Sequence, residues 1–72
     1  MPYPTNEDLP ISVRAHLPPA AQDIYRAAFN HAFAYYGPYN EATAHRVAWA
    51  AVKRRYEKRY GLWMPRQSSA AY

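Results

Sequence analysis

The stretch PAAQDIYRAAFNHAFAYYGPYN, residues 19–40, carries an apolar repeat of helical period and then an abrupt stop. Ala21, Ile24, Tyr25, Ala28, Phe29, Ala32, Phe33 and Tyr36 recur three and four residues apart, which places them on one wide stripe of an α-helix. Pro19 suits the first turn of that helix, and the Asp23 carboxylate lies near its positive end. Gly37-Pro38 ends it, because glycine takes the left-handed cap conformation and proline blocks continuation.

Beyond this stop, Asn40 reads as the N-cap of a second helix, with Glu41 in its first turn and Gly61 past its end near Tyr60. Its stripe is Ala44, Val47, Ala48, Ala51, Val52 and Tyr56, flanked by Trp49 and Tyr60. A linker as short as Gly37 to Asn40 makes the two helices antiparallel neighbours. Upstream, Ile11 to Leu17 lies between Pro10 and Pro18 and predicts about two helical turns, with Asp8 as N-cap. Downstream, Leu62-Trp63-Met64 is too apolar for a free tail and is expected to fold back onto the helices. Residues 66–72 read as a disordered tail.

The fold class expected is therefore all-α, a mini-bundle of two long antiparallel helices plus a short N-terminal one. A single domain over residues 1–65 is expected, with a small extended pairing of the termini that sets Tyr3 beside Leu62-Trp63-Met64. Its core is assigned to Ile24, Tyr25, Phe29, Val47, Trp49, Val52, Tyr56 and Trp63.

The sequence has 72 residues and no cysteine, so neither disulfides nor thiolate chemistry is available. A chain this short buries only ~60% of its unfolded surface, and its eight Tyr, two Trp and two Phe must fill the core around small alanines. No apolar run approaches the ~20 residues needed to span a bilayer. The N-terminal residues 1–8 lack the basic and apolar regions of a signal peptide, which predicts a soluble, cytoplasmic protein.

Charge is distributed unevenly. Residues 1–45 carry Arg14 and Arg26 against Glu7, Asp8, Asp23 and Glu41. Residues 46–72 carry Arg46, Lys53, Arg54, Arg55, Lys58, Arg59 and Arg66 against Glu57 alone. Lys53, Arg54, Arg55, Lys58 and Arg59 are the candidate docking surface for an acidic protein partner. The interleaved Tyr56 and Tyr60 would also suit a nucleic acid, the alternative reading. On a helix they instead continue the apolar stripe, and neither a helix-turn-helix nor an RNA-binding aromatic signature is present.

Catalytic residues, cofactors, bound metals and small-molecule substrates are not expected. Glu41 and His45 stand four apart on one helix, but two ligands fall short of the three or four that hold zinc tightly. His45 is read instead as a half-buried ring beside Trp49, with Trp49 a structural residue.

Several blocks also resemble a known family. Leu9-Pro10, Leu17-Pro18, Ala21-Gln22-Asp23-Ile24-Tyr25 and Ala28-Phe29-Asn30 are followed by Glu41 through Lys53, then Tyr56 and Trp63. In these the chain is similar to ChaB, small bacterial proteins named as cation transport regulators. The resemblance implies a non-enzymatic binding protein that regulates a cation/proton antiporter by protein contact, at the antiporter's cytoplasmic face. Two features depart from the family pattern. Many relatives have a longer, charged connection where this chain has Tyr36-Gly37-Pro38-Tyr39-Asn40, and an acidic or glycine-rich approach to the tryptophan where it has Gly61-Leu62.

Overall fold

Alanines on the facing stripes let the two long helices approach closely. The computed structural model describes residues 3–66. Helix α1 (Ile11–His16) leads into α2 (Pro19–Tyr36), which is joined to α3 (Glu41–Arg55) by a single 3-10 turn, Pro38–Asn40. Strands β1 (Tyr56–Arg59) and β2 (Leu62–Pro65) follow as an antiparallel hairpin. The helical architecture is the one expected, with two long helices and a short N-terminal helix; the small extended pairing lies within the C-terminal segment and not between the termini.

The core runs through the seam between α2 and α3. Ala21, Tyr25, Phe29 and Ala32 on α2 are buried against Ala44, Ala48 and Val52 on α3. Leu9, Val13 and Leu17 close the end supplied by α1, and Tyr56 closes the end supplied by the hairpin. Ile24, Val47, Trp49 and Trp63 pack on this cluster but are only partly buried. Tyr36, assigned to the stripe, is exposed.

The caps differ in detail from those expected. Asp8 caps not α1 but the 3-10 turn Asn6–Asp8 before it, accepting from the Thr5 amide at 3.1 Å and hydroxyl at 2.8 Å. The residue preceding α1 is Pro10, which has no side chain able to cap. Asn40 makes no side-chain cap for α3; its amide nitrogen donates backward to the Tyr36 carbonyl at 3.4 Å. Gly37, at φ +84°, terminates α2 as expected.

Tyr3 does not pair with Leu62-Trp63-Met64. Its amide donates to Asn30 Oδ1 at 2.8 Å, and Asn30 Nδ2 donates to its carbonyl at 2.9 Å, so one side chain serves as a strand partner. The Tyr3 ring then lies on Phe29, with centroids 4.7 Å apart. Arg26 donates to Asn6 Oδ1 and the Pro4 carbonyl, and Asn6 donates to Asp23. Asp23, Arg26 and Asn30, spaced for one helix face, clamp the N-terminal segment along α2.

The second long helix stops at Arg55 rather than near Tyr60. Continued as a helix, Arg54 and Lys58, and Arg55 and Arg59, would stand four apart and repel. The extended alternative puts Tyr56 and Lys58 on one face of the hairpin and pairs them with Pro65 and Trp63, carrying Trp63 onto Trp49. Tyr60 and Gly61 form the two-residue turn with φ of +53° and +80°. Tyr60 is consequently 97% exposed rather than flanking a core stripe. Of the expected tail, Arg66 lies against α3, its amide donating to the Arg55 carbonyl at 2.8 Å; residues 67–72 are outside the described residues.

Two variants test this packing. Phe29→Ala should cost about 3–5 kcal/mol by denaturant unfolding, and more than Trp49→Ala, since Phe29 is fully buried and Trp49 only partly. Equal losses would place the centre of the core elsewhere. Tyr60→Asn relieves a left-handed conformation that asparagine tolerates better, and should stabilise by about 0.5–1 kcal/mol. A melting temperature at or below that of wild type would count against this turn.

Candidate functional site

Five side chains from four elements meet at the junction of the hairpin with the helices. His16 at the end of α1, Trp49 and Lys53 on α3, Lys58 on β1 and Trp63 on β2 line an open groove of about 390 Å³. The indole rings are tilted by 35° with centroids 5.7 Å apart, and Trp49 meets Tyr25 edge-on at 5.3 Å. Lys58 stands opposite Trp63 in the hairpin ladder. His16 Nδ1 lies 2.6 Å from the Ser12 carbonyl, which can only accept, so Nδ1 carries a hydrogen and Nε2 is left for another partner.

Of the predicted cationic cluster only Lys53 and Lys58 line this groove, and the cluster is divided between two elements. Lys53, Arg54 and Arg55 form the last turn of α3, where positive charge complements the helix dipole; Lys58 and Arg59 lie on β1. All five are exposed. Arg59 pairs with Glu57 at 2.9 Å, and Arg66 reaches the same carboxylate at 3.4 Å while donating to the Lys53 carbonyl at 2.7 Å. Among the described residues, no carboxylate lies within ion-pair distance of Lys53, Arg54, Arg55 or Lys58. Lys53 and Lys58 thus set uncompensated positive charge beside two aromatic rings, an arrangement suited to anionic groups that also carry apolar surface.

The remaining histidines separate from it. His45 packs on Phe29 at 4.6 Å and is hydrogen-bonded through Nδ1 to the Tyr25 hydroxyl, so it turns toward the core rather than toward Glu41. His31 is exposed on α2. No group of three or more His, Asp or Glu comes together among the described residues. Burial pushes the Tyr25 phenol up to about 12, with a further contribution from Tyr3. Burial and the Glu41 charge also raise Tyr3.

The sequence had pointed to Trp49 and Trp63 as core; both also line the groove. His16 has no such signal, because only the packing of α1 on α2 sets it at the groove that Lys58 also lines.

The conserved-family model ChaB matches residues 9–66, most of the chain and all of the groove. The chain belongs to the ChaB family. It is 52% identical over 66 positions to the Escherichia coli (strain K12) protein named "Putative cation transport regulator ChaB", covering 81% of this chain and 87% of that one. The Shigella flexneri protein of the same name matches with the same identity and coverage. A ChaB solution structure superposes with a TM-score of 0.79 at 45% identity, over 92% of this chain and all of the other. The aligned positions outnumber the residues this chain contributes to them, so the ChaB relatives carry residues within the match that it lacks. No helix among the described residues is long and apolar enough to cross a membrane.

The burial of Tyr25 yields a pH prediction. In an unfolded chain the phenol titrates near ~10; in the folded protein its neutral form is favoured to about 12. The stability this contributes is fully present below pH ~10 and is lost as pH rises toward ~12. Denaturant melts across that window should show stability falling with pH, and Tyr25→Phe should make the fall shallower. An unchanged slope in the variant would assign the alkaline loss to other groups.

Proposed function

We propose that this chain is a non-catalytic regulatory protein that acts by docking onto an acidic segment of a protein partner. The observation that carries this reading is the groove itself, lined by Lys53, Lys58 and His16 together with Trp49 and Trp63; Arg54 and Arg55 follow Lys53 in the last turn of α3. An acidic side chain bridging Lys53 and Lys58, with an adjacent apolar side chain on the indoles, satisfies both chemistries at once. The relatives' name directs the choice of partner to a cation transport system; within that class the partner proposed is a cation/proton antiporter, met at its cytoplasmic face. Cytoplasmic location is part of the same proposal.

Nucleic-acid association is the second reading, and exposed Tyr60 beside Arg59 is the feature that favours it. Against it, Tyr56 is buried, and the cations are split between a helix end and a strand instead of tracking one groove. Such binding would be weak and sequence-independent, and would be lost toward physiological salt.

The experiment is capture from native detergent-solubilised membranes, comparing wild type with a variant in which Lys53, Arg54, Arg55 and Lys58 are replaced by Gln. Exposed substitutions each change stability by less than ~0.5 kcal/mol, so the circular dichroism of the variant should match wild type. Wild type should recover a cation transporter, and the variant should recover about tenfold less at low salt. Recovery by both proteins alike refutes the docking surface, and recovery abolished by nuclease transfers it to nucleic acid.

A further inference from the structure

Of the five side chains that line the groove, only His16 can change its charge near neutral pH. Lysine keeps its charge across the range, pH ~5 to ~8, in which imidazole gains or loses one. The His16 ring is exposed at the C-terminal end of α1, so protons reach it freely. Its Nδ1 is committed to the Ser12 carbonyl, which fixes the tautomer. In the neutral ring Nε2 therefore bears a lone pair and only accepts; in the protonated ring the same atom donates. Toward an anion these are opposite behaviours. The lone pair repels it, and the N–H forms a charge-assisted hydrogen bond to it.

The surroundings leave that hydrogen bond to a ligand. Beside His16, α1 carries Arg14 as its other charged group, and α2 meets this end of α1 with the uncharged Gln22. To the lining α3 contributes Lys53 and β1 contributes Lys58, while β2 contributes only Trp63. The neighbouring carboxylates are engaged elsewhere. Asp8 accepts from Thr5, Asp23 from Asn6, and Glu57 holds Arg59 and Arg66; Glu41 stands at the opposite end of α3 from Lys53. Among the described residues no carboxylate lies within ion-pair distance of His16. The other histidines are outside the lining, His45 bonded to Tyr25 and His31 exposed on α2.

We infer that His16 is the third anion contact of the groove, donating from Nε2 beside Lys53 and Lys58, and that through it the docking of an acidic segment tightens as pH falls. This role rests on the acidic-partner reading of the same groove. An anion seated between the lysines favours the charged ring, and by reciprocity the charged ring raises affinity for the anion. Formation of the complex therefore takes up protons, at most one per groove. A carboxylate ligand stays ionised down to pH ~4, so the response occupies the window between carboxylate and imidazole titration.

The test is titration of the full chain with hexanesulfonate in low salt at pH ~8 and pH ~5.5. A sulfonate keeps its charge at both values, so a change in affinity belongs to the protein, and the alkyl chain suits the indoles. Both tryptophans of the chain line the groove, so indole emission reports occupancy. Wild type should bind about fivefold tighter at the lower pH. His16→Gln has no charge to gain and should bind equally at both, as wild type does at the higher pH. His16→Arg should bind at both as wild type does at the lower pH. Because His16 is exposed, neither variant should alter the circular dichroism. His45 stands one turn from Trp49 on α3 and remains in both variants, so a pH response that survives His16→Gln overturns the assignment. Equal wild-type affinity at the two pH values overturns it too, as does absence of binding at both. Transporter capture that depends on Lys53, Arg54, Arg55 and Lys58 while the pH profile is flat would leave the docking surface standing and remove only the role of His16.

Discussion

The seam between α2 and α3 is the constraint on which the other features depend. Two fully buried rings, Tyr25 and Phe29, fill the space that Ala21, Ala32, Ala44 and Ala48 leave open between the helices. A chain of this size has no second core to fall back on. The same rings reach outward to both ends of the molecule. Phe29 receives Tyr3 of the N-terminal segment, and Tyr25 receives Trp49, which in turn seats Trp63 of the hairpin. The groove is therefore built on the core through two aromatic contacts, and a loss at the seam propagates to it.

The polar side of α2 has a structural task that its composition conceals. Asp23, Arg26 and Asn30 look like an ordinary solvated face, yet together they hold residues 3–6 along the helix. Asn30 is the most specific of them, since only a side chain with both donor and acceptor can complete the Tyr3 backbone pair. Gln22 works similarly at the other junction, donating to the Leu17 carbonyl at 2.8 Å where α1 ends. Much of the polar sequence near the N-terminus thus fastens the short elements to the long one.

What could be read in the sequence follows from the range of the forces involved. Apolar periodicity and the Gly37-Pro38 stop are local, so both long helices and their antiparallel pairing were legible. The end of α3 was not. Tyr56 and Tyr60 continue a helical spacing, and nothing between them breaks a helix; the balance turns on repulsion among Arg54, Arg55, Lys58 and Arg59 and on what Trp63 gains by reaching Trp49. Both are visible only once a hairpin is considered. The signal available was Tyr60-Gly61, two turn residues between stretches of equal length, whose first member is an unfavourable choice for a left-handed position. The cationic residues are legible by composition, but their division between helix end and strand depends on that same missed turn. His16 enters the groove through a tertiary contact and had no local signature at all.

That division has a consequence for how the site works. A two-stranded hairpin is marginal by itself. This one is held by Tyr56, by the Trp63–Trp49 contact and by Arg66 hydrogen-bonded to the carbonyls of Lys53 and Arg55. Lys53 is on the helix and Lys58 on the hairpin, so the two cannot keep a fixed separation unless the hairpin stays docked. An anion bridging them binds the docked arrangement better than an opened one, and so stabilises it in proportion to that difference.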